Sequence, residues 1–316
     1  MSCPTTDDEK SHSPSDRKDW RESYYFNFVD MESGVSGFTT IGLLPHVHRR
    51  EFVFALFHRD KRHFYYQEPA TPFSLDSMES LNDGRLRFDL VEAMKQWRIT
   101  ISSGELRADL KWTSRFPPLN FGECSGTSWE GHFEQSGLVA GSLQVGDLTL
   151  SINGFGQRDK SWGSRNWHID QWYALHAQFR EFSIGLRHDT LEGNSVVSGG
   201  ISSVSGGVPI TSIDVETEYG TDPGLPIGAT TRIGCRDGSR YVLNSKLLSP
   251  LSFVKFSRRF PGGTTELLEA MALHRWEETG EIGTGLLEWL FTRMSGPLQR
   301  PGQALHQQPP EPSLSP

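Results

Sequence analysis

The sequence predicts an all-β protein, and three observations support this prediction. Glycine accounts for 32 of the 316 residues, and aromatic side chains make up 11% of the chain, with 19 Phe and 9 Trp. This composition favours strands and tight turns over helices. Apolar and polar residues alternate in many short runs, as they do in a strand with one buried face. Turn sequences that contain Gly or Ser separate these runs.

The clearest predicted element is a hairpin at residues 96–114. Trp97, Ile99 and Ile101 alternate with polar residues, a Ser-Gly pair interrupts the run, and the alternation resumes from Leu106. Two alternating runs around a Ser-Gly turn are typical of a β-hairpin with one buried and one solvated face.

Similar runs predict strands along most of the chain. They lie at residues 24–28, 39–44, 51–57, 62–67, 137–152, 171–179, 182–187, 210–217, 240–246 and 253–256. Residues 265–276 contain helix-forming residues but fit a strand as well. Residues 286–293 place four large apolar side chains at helical spacing, which predicts a short amphipathic C-terminal helix. Many short strands with little helix are typical of barrels and sandwiches.

The length of the chain, 316 residues, suggests about two domains. Residues 1–19 are polar and rich in Ser, Asp and Pro, and residues 298–316 are rich in Pro. We therefore expect both ends to be disordered. The folded region between them is predicted to form one domain at residues 20–155 and a second at residues 156–297.

Charge and cysteine content exclude several classes of protein. The formal net charge of −8 argues against a nucleic-acid-binding protein that recognises phosphates through clustered Lys and Arg. Cys3, Cys124 and Cys235 are far apart, so neither a zinc site nor a disulfide framework is predicted. The longest apolar runs are shorter than the ~20 residues of a membrane span, and the N-terminal residues do not resemble a signal peptide. We expect a cytoplasmic protein with no integral membrane segment.

The densest group of chemically active side chains lies at residues 153–170. This segment contains Arg158, Asp159, Lys160, Trp162, Arg165, Trp167, His168 and Asp170. Gly154 and Gly156 are not followed by the third glycine and the helix of a dinucleotide-binding motif, so no nucleotide cofactor is predicted.

The same segment contains a longer motif at residues 154–167, which read G-x-G-x-R-D-K-S-W-G-x-R-x-W. The motif resembles the G-x-R-D-H-S-W-G-x-R-x-W signature of lipocalin-like proteins related to AttH and carotenoid 1,2-hydratase (CrtC). Residues 281–290 resemble the Gly-x-Gly-x-x-Glu stretch near the end of such chains. The resemblance implies two lipocalin-like β-domains in tandem. It also implies an apolar cavity in which polyenes, terpenoids or polyketides are hydrated, cyclised or rearranged without a metal or organic cofactor.

Under this resemblance, Asp159 is the candidate general acid. A carboxylic acid in an apolar wall stays protonated because desolvation disfavours its charged form. Trp162 and Trp167 are candidate faces for stabilising a carbocation through cation–π attraction. Arg158 and Arg165 are expected to orient Asp159 or to bind a polar end of the substrate. The predicted partner is a small hydrophobic molecule.

One position departs from the family pattern. Lys160 stands where the family has His, and a Lys of ordinary pKa does not exchange protons near neutral pH. A desolvated Lys160 would act as a base. His168 is a second candidate for the proton-transfer role.

Two other interpretations remain open, and so does the oligomeric state. Arg158, Asp159, Trp162 and Arg165 also suit a structural plug, in which guanidinium groups stack on Trp and pair with Asp. The protein would then be a non-catalytic carrier of a hydrophobic ligand. A pericyclase (a Diels–Alderase-like enzyme) that only folds a polyene into a reactive conformer would need no acid.

Overall fold

The computed structural model describes residues 4–122, 128–165, 167, 169–221 and 224–294. These residues form two antiparallel β-sheets and three short 3₁₀ helices, which lie at Thr6–Glu9, Pro45–Val47 and Met78–Leu81. None of the helices in this part of the chain is long and apolar enough to span a membrane. The predicted fold class, an all-β fold with two domains, is confirmed.

The first sheet contains ten strands. They are β1 (Trp20–Asp30), β2 (Val35–Leu44), β3 (Arg49–His58), β4 (Lys61–Gln67), β5 (Leu86–Glu92), β6 (Gln96–Ser103), β7 (Leu106–Ser114), β8 (Leu119–Asn120), β9 (Gly131–Val145) and β10 (Leu148–Ser164). The strand order is β4-β3-β2-β1-β10-β9-β7-β6-β5, and β8 pairs with β9. The sheet curls into a half-barrel around a core that includes Phe26, Phe88 and Trp112.

The second sheet contains nine strands. They are β11 (Gln171–Gln178), β12 (Phe182–Leu191), β13 (Asn194–Ser203), β14 (Gly206–Tyr219), β15 (Pro226–Cys235), β16 (Arg240–Leu247), β17 (Phe253–Phe260), β18 (Gly263–Trp276) and β19 (Ile282–Met294). The strand order is β16-β15-β14-β13-β12-β11-β19-β18-β17. Pairing of β16 with β18 closes eight of these strands into a barrel.

The hairpin predicted at residues 96–114 is confirmed as strands β6 and β7. Trp97 lies directly opposite Trp112 in the register of the two strands, and both indole rings are fully buried in the half-barrel core. The alternate residues Arg98 and Lys111 are exposed. The period-two pattern of the sequence therefore describes this hairpin correctly, because one face is buried and the other is solvated.

Residues 286–293 lie in β19, so the predicted C-terminal helix is wrong. Leu287 and Trp289 face the barrel core, whereas Leu286 and Leu290 pack in clusters on the outside of the barrel. Because both faces of β19 are covered, its sequence is almost continuously apolar. Periodicity does not distinguish such a strand from a buried helix.

Strand β10 runs through the predicted domain boundary between residues 155 and 156. It pairs with β9 from Leu148 to Trp162 and with β1 as far as Ser164. The chain therefore leaves the first sheet after Ser164 and enters the second at Gln171, later than the predicted boundary. The division into domains at residues 20–155 and 156–297 stays a prediction.

Residues 4–19 pack against the first sheet, which differs from the disorder predicted from their composition. Glu9 is 1% exposed, and its carboxylate accepts two hydrogen bonds of 2.8 Å from the guanidinium group of Arg158. Composition does not reveal a buried ion pair with a residue so distant in sequence. The Pro-rich tail at residues 298–316 lies outside the described residues.

Candidate active site

A cavity of about 580 Å³ lies between the two sheets, and its size is ordinary for a small-molecule site. Successive side chains of β1 point to opposite sides of the strand. Arg21, Ser23 and Tyr25 line the cavity, whereas Tyr24 and Phe26 belong to the half-barrel core. The cavity therefore uses the face of the first sheet that is turned toward the barrel.

The same alternation divides the motif on β10. Asp159 lines the cavity, as do Arg165 and Trp167 just beyond the end of the strand. Arg158 and Lys160 are not among the lining residues, and both contact groups on the half-barrel side of β10.

The other face of β10 is covered by the N-terminal segment, and side chains of the neighbouring strand β1 lie beside it. Arg158 pairs with that segment as described above. The ammonium group of Lys160 contacts the carboxylate of Glu22, and the indole of Trp162 stacks on the imidazole of His12 with 3.6 Å between ring centroids. Burial lowers the pKa of Lys160 to about 7. The body of the strand nevertheless separates this amine from the cavity.

The structure thus separates residues that the motif places together. Three of the predicted site residues line the cavity, namely Asp159, Arg165 and Trp167. Three lie on the opposite face of β10, namely Arg158, Lys160 and Trp162. The seventh, His168, lies outside the described residues.

Asp159 is held in its ionised form. Burial raises the pKa of this carboxyl group, but the charges of His132, Arg165 and His176 outweigh that effect and hold the pKa below its usual value. Nε2 of His132 lies 3.2 Å from Oδ2 of Asp159. This environment differs from the apolar wall predicted for a protonated Asp159, because β9 places an imidazole beside the carboxylate. At neutral pH, Asp159 is suited to accept a proton.

Asp159, His132 and His176 form a polar cluster, and Glu134 on β9 belongs to the same cluster behind the cavity wall. Its Oε1 lies 3.1 Å from Nε2 of His176 and 3.6 Å from Nε2 of His132. The potential ligand atoms of His132, Glu134 and Asp159 lie within 4.8 Å of one another. In the described part of the chain, these three side chains are the ones that could hold a metal cation.

Two carboxyl groups lie opposite each other in the cavity wall. Glu269 on β18 is paired with Glu288 on β19 in the strand register, and both line the cavity. Burial raises the pKa of both groups, and the charge of Glu288 raises the pKa of Glu269 further, well above its usual value. The indole N–H of Trp172 donates a hydrogen bond of 2.5 Å to Oε1 of Glu288. The pKa of Glu269 is therefore raised further than that of Glu288, which makes Glu269 the member of the pair better suited to hold a proton.

Three guanidinium groups lie near these carboxyl groups. Arg21, Arg165 and Arg187 all line the cavity. Nε of Arg21 is 3.3 Å from Oε2 of Glu51, and the guanidinium of Arg187 lies 3.8 Å from the ring centroid of Trp172. The inner end of the cavity therefore contains both carboxyl and guanidinium groups.

Aromatic side chains from two outer strands lie at the entrance. Phe64 and Tyr66 on β4 are 46% and 41% exposed, with nearly parallel rings 6.3 Å apart. Phe256 on β17 lies 6.1 Å from Phe64. Glu269, by contrast, is 7% exposed. Aromatic rings therefore form part of the entrance, beside exposed charged side chains such as Lys255 and Arg258, and the buried carboxyl groups lie on the floor.

The glutamate pair and Arg187 were not predicted as site residues from the sequence. Glu269 and Glu288 each interrupt a short apolar run, at residues 267–272 and 286–291. Burial of a carboxylate in such a run is costly unless the group is paired, neutralised or functional. An isolated acidic residue within an apolar run was thus the signal available in the sequence.

Solved structures with the same fold include three that are 10–12% identical to this chain. Kievitone hydratase from Nectria haematococca has a TM-score of 0.62 and 10% identity, over 85% of this chain and 88% of that chain. An AttH-like protein from Nitrosomonas europaea has a TM-score of 0.64 and 12% identity, over 88% and 94%. CghA, solved with Sch210972, has a TM-score of 0.60 and 11% identity, over 86% and 88%. These likenesses confirm the AttH-like lipocalin fold that the motif predicted.

A comparison with curated proteins gives no match. A family model described as a domain of unknown function (DUF7064) matches residues 5–293. The matched range includes nearly all of both sheets and every described residue of the cavity wall. The chain therefore belongs to the DUF7064 family.

Proposed function

We propose that this protein is a cofactor-independent enzyme that protonates a carbon–carbon double bond of an isoprenoid- or polyketide-like substrate, and so acts as a hydratase, cyclase or isomerase. The reaction takes place in the cavity between the two sheets. Glu269 is the proton donor and Asp159 is the base. The observation that carries the proposal is the pair of opposed carboxyl groups, Glu269 and Glu288, in the cavity wall.

The acid role belongs to Glu269 rather than to Asp159. A general acid must hold a proton at the pH of the reaction and release it to the substrate. Burial and the neighbouring Glu288 raise the pKa of Glu269 well above its usual value, whereas cationic neighbours lower the pKa of Asp159. Two carboxyl groups whose environments shift their pKa values in opposite directions are typical of an acid and a base.

Proton transfer from Glu269 breaks its O–H bond, and the π electrons of the alkene form the new C–H bond. The neighbouring carbon becomes a carbocation, which the aromatic rings of Tyr25 and Phe256 in the wall stabilise. Water adds to this carbon in a hydratase, a second double bond adds in a cyclase, and an adjacent C–H bond breaks in an isomerase. In each case the carboxylate of Asp159 accepts the proton that is released, and Glu269 regains a proton from solvent.

The name of one structural relative supports this class of reaction. Kievitone hydratase has the same fold, so the architecture accommodates an enzyme that adds water. At 10% identity the likeness extends to the fold alone. The assignment of acid and base in this chain therefore depends on its own side chains.

Turnover in deuterium oxide tests the proposal. The purified protein is incubated with a panel of prenylated phenols, linear terpenoids and polyene polyketides, and the products are analysed by mass spectrometry and NMR. A hydratase adds the elements of water with one deuterium bound to carbon, and a cyclase or isomerase also introduces one carbon-bound deuterium. Glu269→Gln removes the acidic proton with little change of shape, and we expect turnover to fall by about 10²–10⁴-fold.

Glu266→Gln is the matched control on the same strand. Glu266 forms an ion pair of 2.7 Å with Lys255 and is not among the cavity-lining residues, so turnover should be retained. Unchanged turnover in Glu269→Gln would exclude this residue as the acid. A product without carbon-bound deuterium would favour a pericyclase, and recovery of every panel member unchanged would favour a carrier protein.

A further inference from the structure

We propose that the substrate carries an anionic group, such as a carboxylate or an ionised enol, and that Arg165 binds this group on the charged floor of the cavity. The hydrophobic part of the same molecule lies toward the aromatic rings at the entrance. This inference rests on the proposed function of the cavity and adds the charge and orientation of the substrate to it.

Arg165 differs from the other two arginines of the cavity floor. Nε of Arg21 lies 3.3 Å from a carboxylate oxygen of Glu51, and Nε of Arg187 lies 2.5 Å from one of Asp189. Among the residues that the structure describes, no carboxylate lies at ion-pair distance from the guanidinium group of Arg165. Arg165 is therefore the arginine of the cavity floor that has no described carboxylate at ion-pair distance.

The geometry of Arg165 suits a bound anion. Its Nη2 donates a hydrogen bond of 3.2 Å to the hydroxyl of Ser161, which restrains the guanidinium plane and leaves further N–H donors for a ligand. Burial, together with the nearby positive charges of Arg21 and Arg187, lowers the pKa of Arg165 to about 9, although the charges of Asp159 and Glu288 favour the cation. An anion beside Arg165 offsets this repulsion between guanidinium groups.

The acidic groups of the floor already have partners. The carboxylate of Asp159 lies 3.2 Å from the imidazole of His132. Glu269 is the proposed proton donor, and Glu288 accepts the indole N–H of Trp172. A ligand anion at Arg165 therefore meets carboxyl groups that are neutral or paired with a donor.

The remaining wall favours an amphipathic ligand. The guanidinium groups of Arg165 and Arg258 lie 5.5 Å and 5.9 Å from the ring centroid of Trp167, so cation–π attraction holds Arg165 against this indole. Phe64 and Tyr66 provide apolar surface at the entrance. A molecule with one acidic end and a polyene or aromatic body matches this distribution of charge and apolar surface.

Two fluorescent probes of matched shape test the inference. The probe 8-anilinonaphthalene-1-sulfonate carries an anion, and N-phenyl-1-naphthylamine is the same skeleton without it. We expect the wild-type protein to bind the sulfonate more tightly than the amine in a fluorescence titration. Arg165→Gln should weaken binding of the sulfonate by about tenfold, the effect of losing one charge-assisted contact, and should change binding of the neutral probe by less than about twofold.

Arg259→Gln is the matched control, because Arg259 is an exposed arginine on β17 that is not among the cavity-lining residues. It should leave the affinity for the sulfonate within about threefold. Equal losses in the two variants, equal weakening of both probes by Arg165→Gln, or no binding of the sulfonate to the wild type would each overturn the inference. Arg165→Lys provides a second variant, which retains the charge and should retain most of the preference for the sulfonate.

The probe experiment separates this inference from the proposed reaction. Glu269→Gln replaces a protonated carboxyl group with a neutral amide, so it should leave the affinity for the sulfonate unchanged while it abolishes turnover. Loss of turnover in Glu269→Gln without any effect of Arg165→Gln on the probes would support the reaction and refute the anion site. The opposite pair of results would support the anion site and refute the reaction.

Discussion

The two faces of β10 place charged side chains of one motif in different environments. On the half-barrel side, Arg158 and Lys160 are 2% and 1% exposed, and their charges contact the carboxylates of Glu9 and Glu22. On the cavity side, the side chain of Asp159 is 24% exposed. The charges on the first face are thus balanced within the protein, whereas the second face opens toward the space for a ligand.

This difference shows that the alternation of side chains along a strand gives neighbouring residues of one motif different roles. Charges that are buried and paired stabilise one arrangement of the chain, because removal of either partner leaves the other uncompensated. A carboxylate on the cavity side keeps unused hydrogen-bonding capacity. In the described part of the chain, Oδ1 of Asp159 has no hydrogen-bond partner, and this residue lines the cavity. Residues adjacent in sequence therefore serve the fold on one face and the ligand on the other.

The largest expected effect is a loss of stability when a buried charge on the half-barrel side of β10 loses its partner. Glu9→Gln leaves Arg158 buried without its counter-charge, and we expect the free energy of unfolding to fall by about 3–5 kcal/mol. Urea denaturation monitored by tryptophan fluorescence measures this change. Affinity of the folded protein for the anionic probe should not change, because neither Glu9 nor Arg158 lines the cavity.

An exposed ion pair on the same sheet provides the control for this prediction. Arg98 and Asp109 form a bond of 2.6 Å, with side chains 54% and 49% exposed. We expect Asp109→Asn to lower the free energy of unfolding by no more than about 1 kcal/mol, because solvent screens the pair. Similar losses in Glu9→Gln and Asp109→Asn would contradict the structural role assigned to the half-barrel face.

The second-largest expected effect is a loss of turnover when a residue on the cavity side of β10 is replaced. Asp159→Asn removes the proposed base, and we expect turnover of an identified substrate to fall by about 10–100-fold. Lys160→Met, at the adjacent position on the other face, should leave turnover of the folded enzyme within about threefold. Steady-state kinetics on both variants measures the contrast. Loss of turnover in folded Lys160→Met with normal turnover in Asp159→Asn would reverse the assignment of the two faces.

Much of the fold could be predicted from the sequence where burial is one-sided. The hairpin around Trp97 alternates cleanly because one of its faces is solvated. Strand β19 could not be predicted in this way, since Leu286 and Leu287 are buried on opposite faces by different clusters. Packing of residues 4–19 depends on long-range contacts, such as the ion pair of Glu9 with Arg158 and the stacking of His12 on Trp162, which leave no local pattern.

The segment that contributes to the site could be predicted from the sequence, but the full set of side chains that form the site could not. The motif identified the strand that carries Asp159, yet the pKa of this residue depends on His132, Arg165 and His176, two of which lie on other strands. Glu269 and Glu288 become a pair only through the register of β18 and β19. Their pKa values depend on tertiary contacts, which neither spacing nor composition encodes.

The smallest expected effect concerns acidification of the half-barrel side. Burial and the charge of Lys160 lower the pKa of His12 from 6.5 to about 4, so between these values the unfolded chain binds a proton that the folded protein does not, and stability falls as the pH is lowered. From pH 7 to 5.5 we expect His12 to contribute less than about 1 kcal/mol, because its ring is partly solvated. Urea denaturation at both pH values should show a smaller pH dependence in His12→Gln than in wild type, and His63→Gln on β4 should behave as wild type. Identical pH dependence in wild type and His12→Gln would mean that burial and the charge of Lys160 do not keep this imidazole neutral.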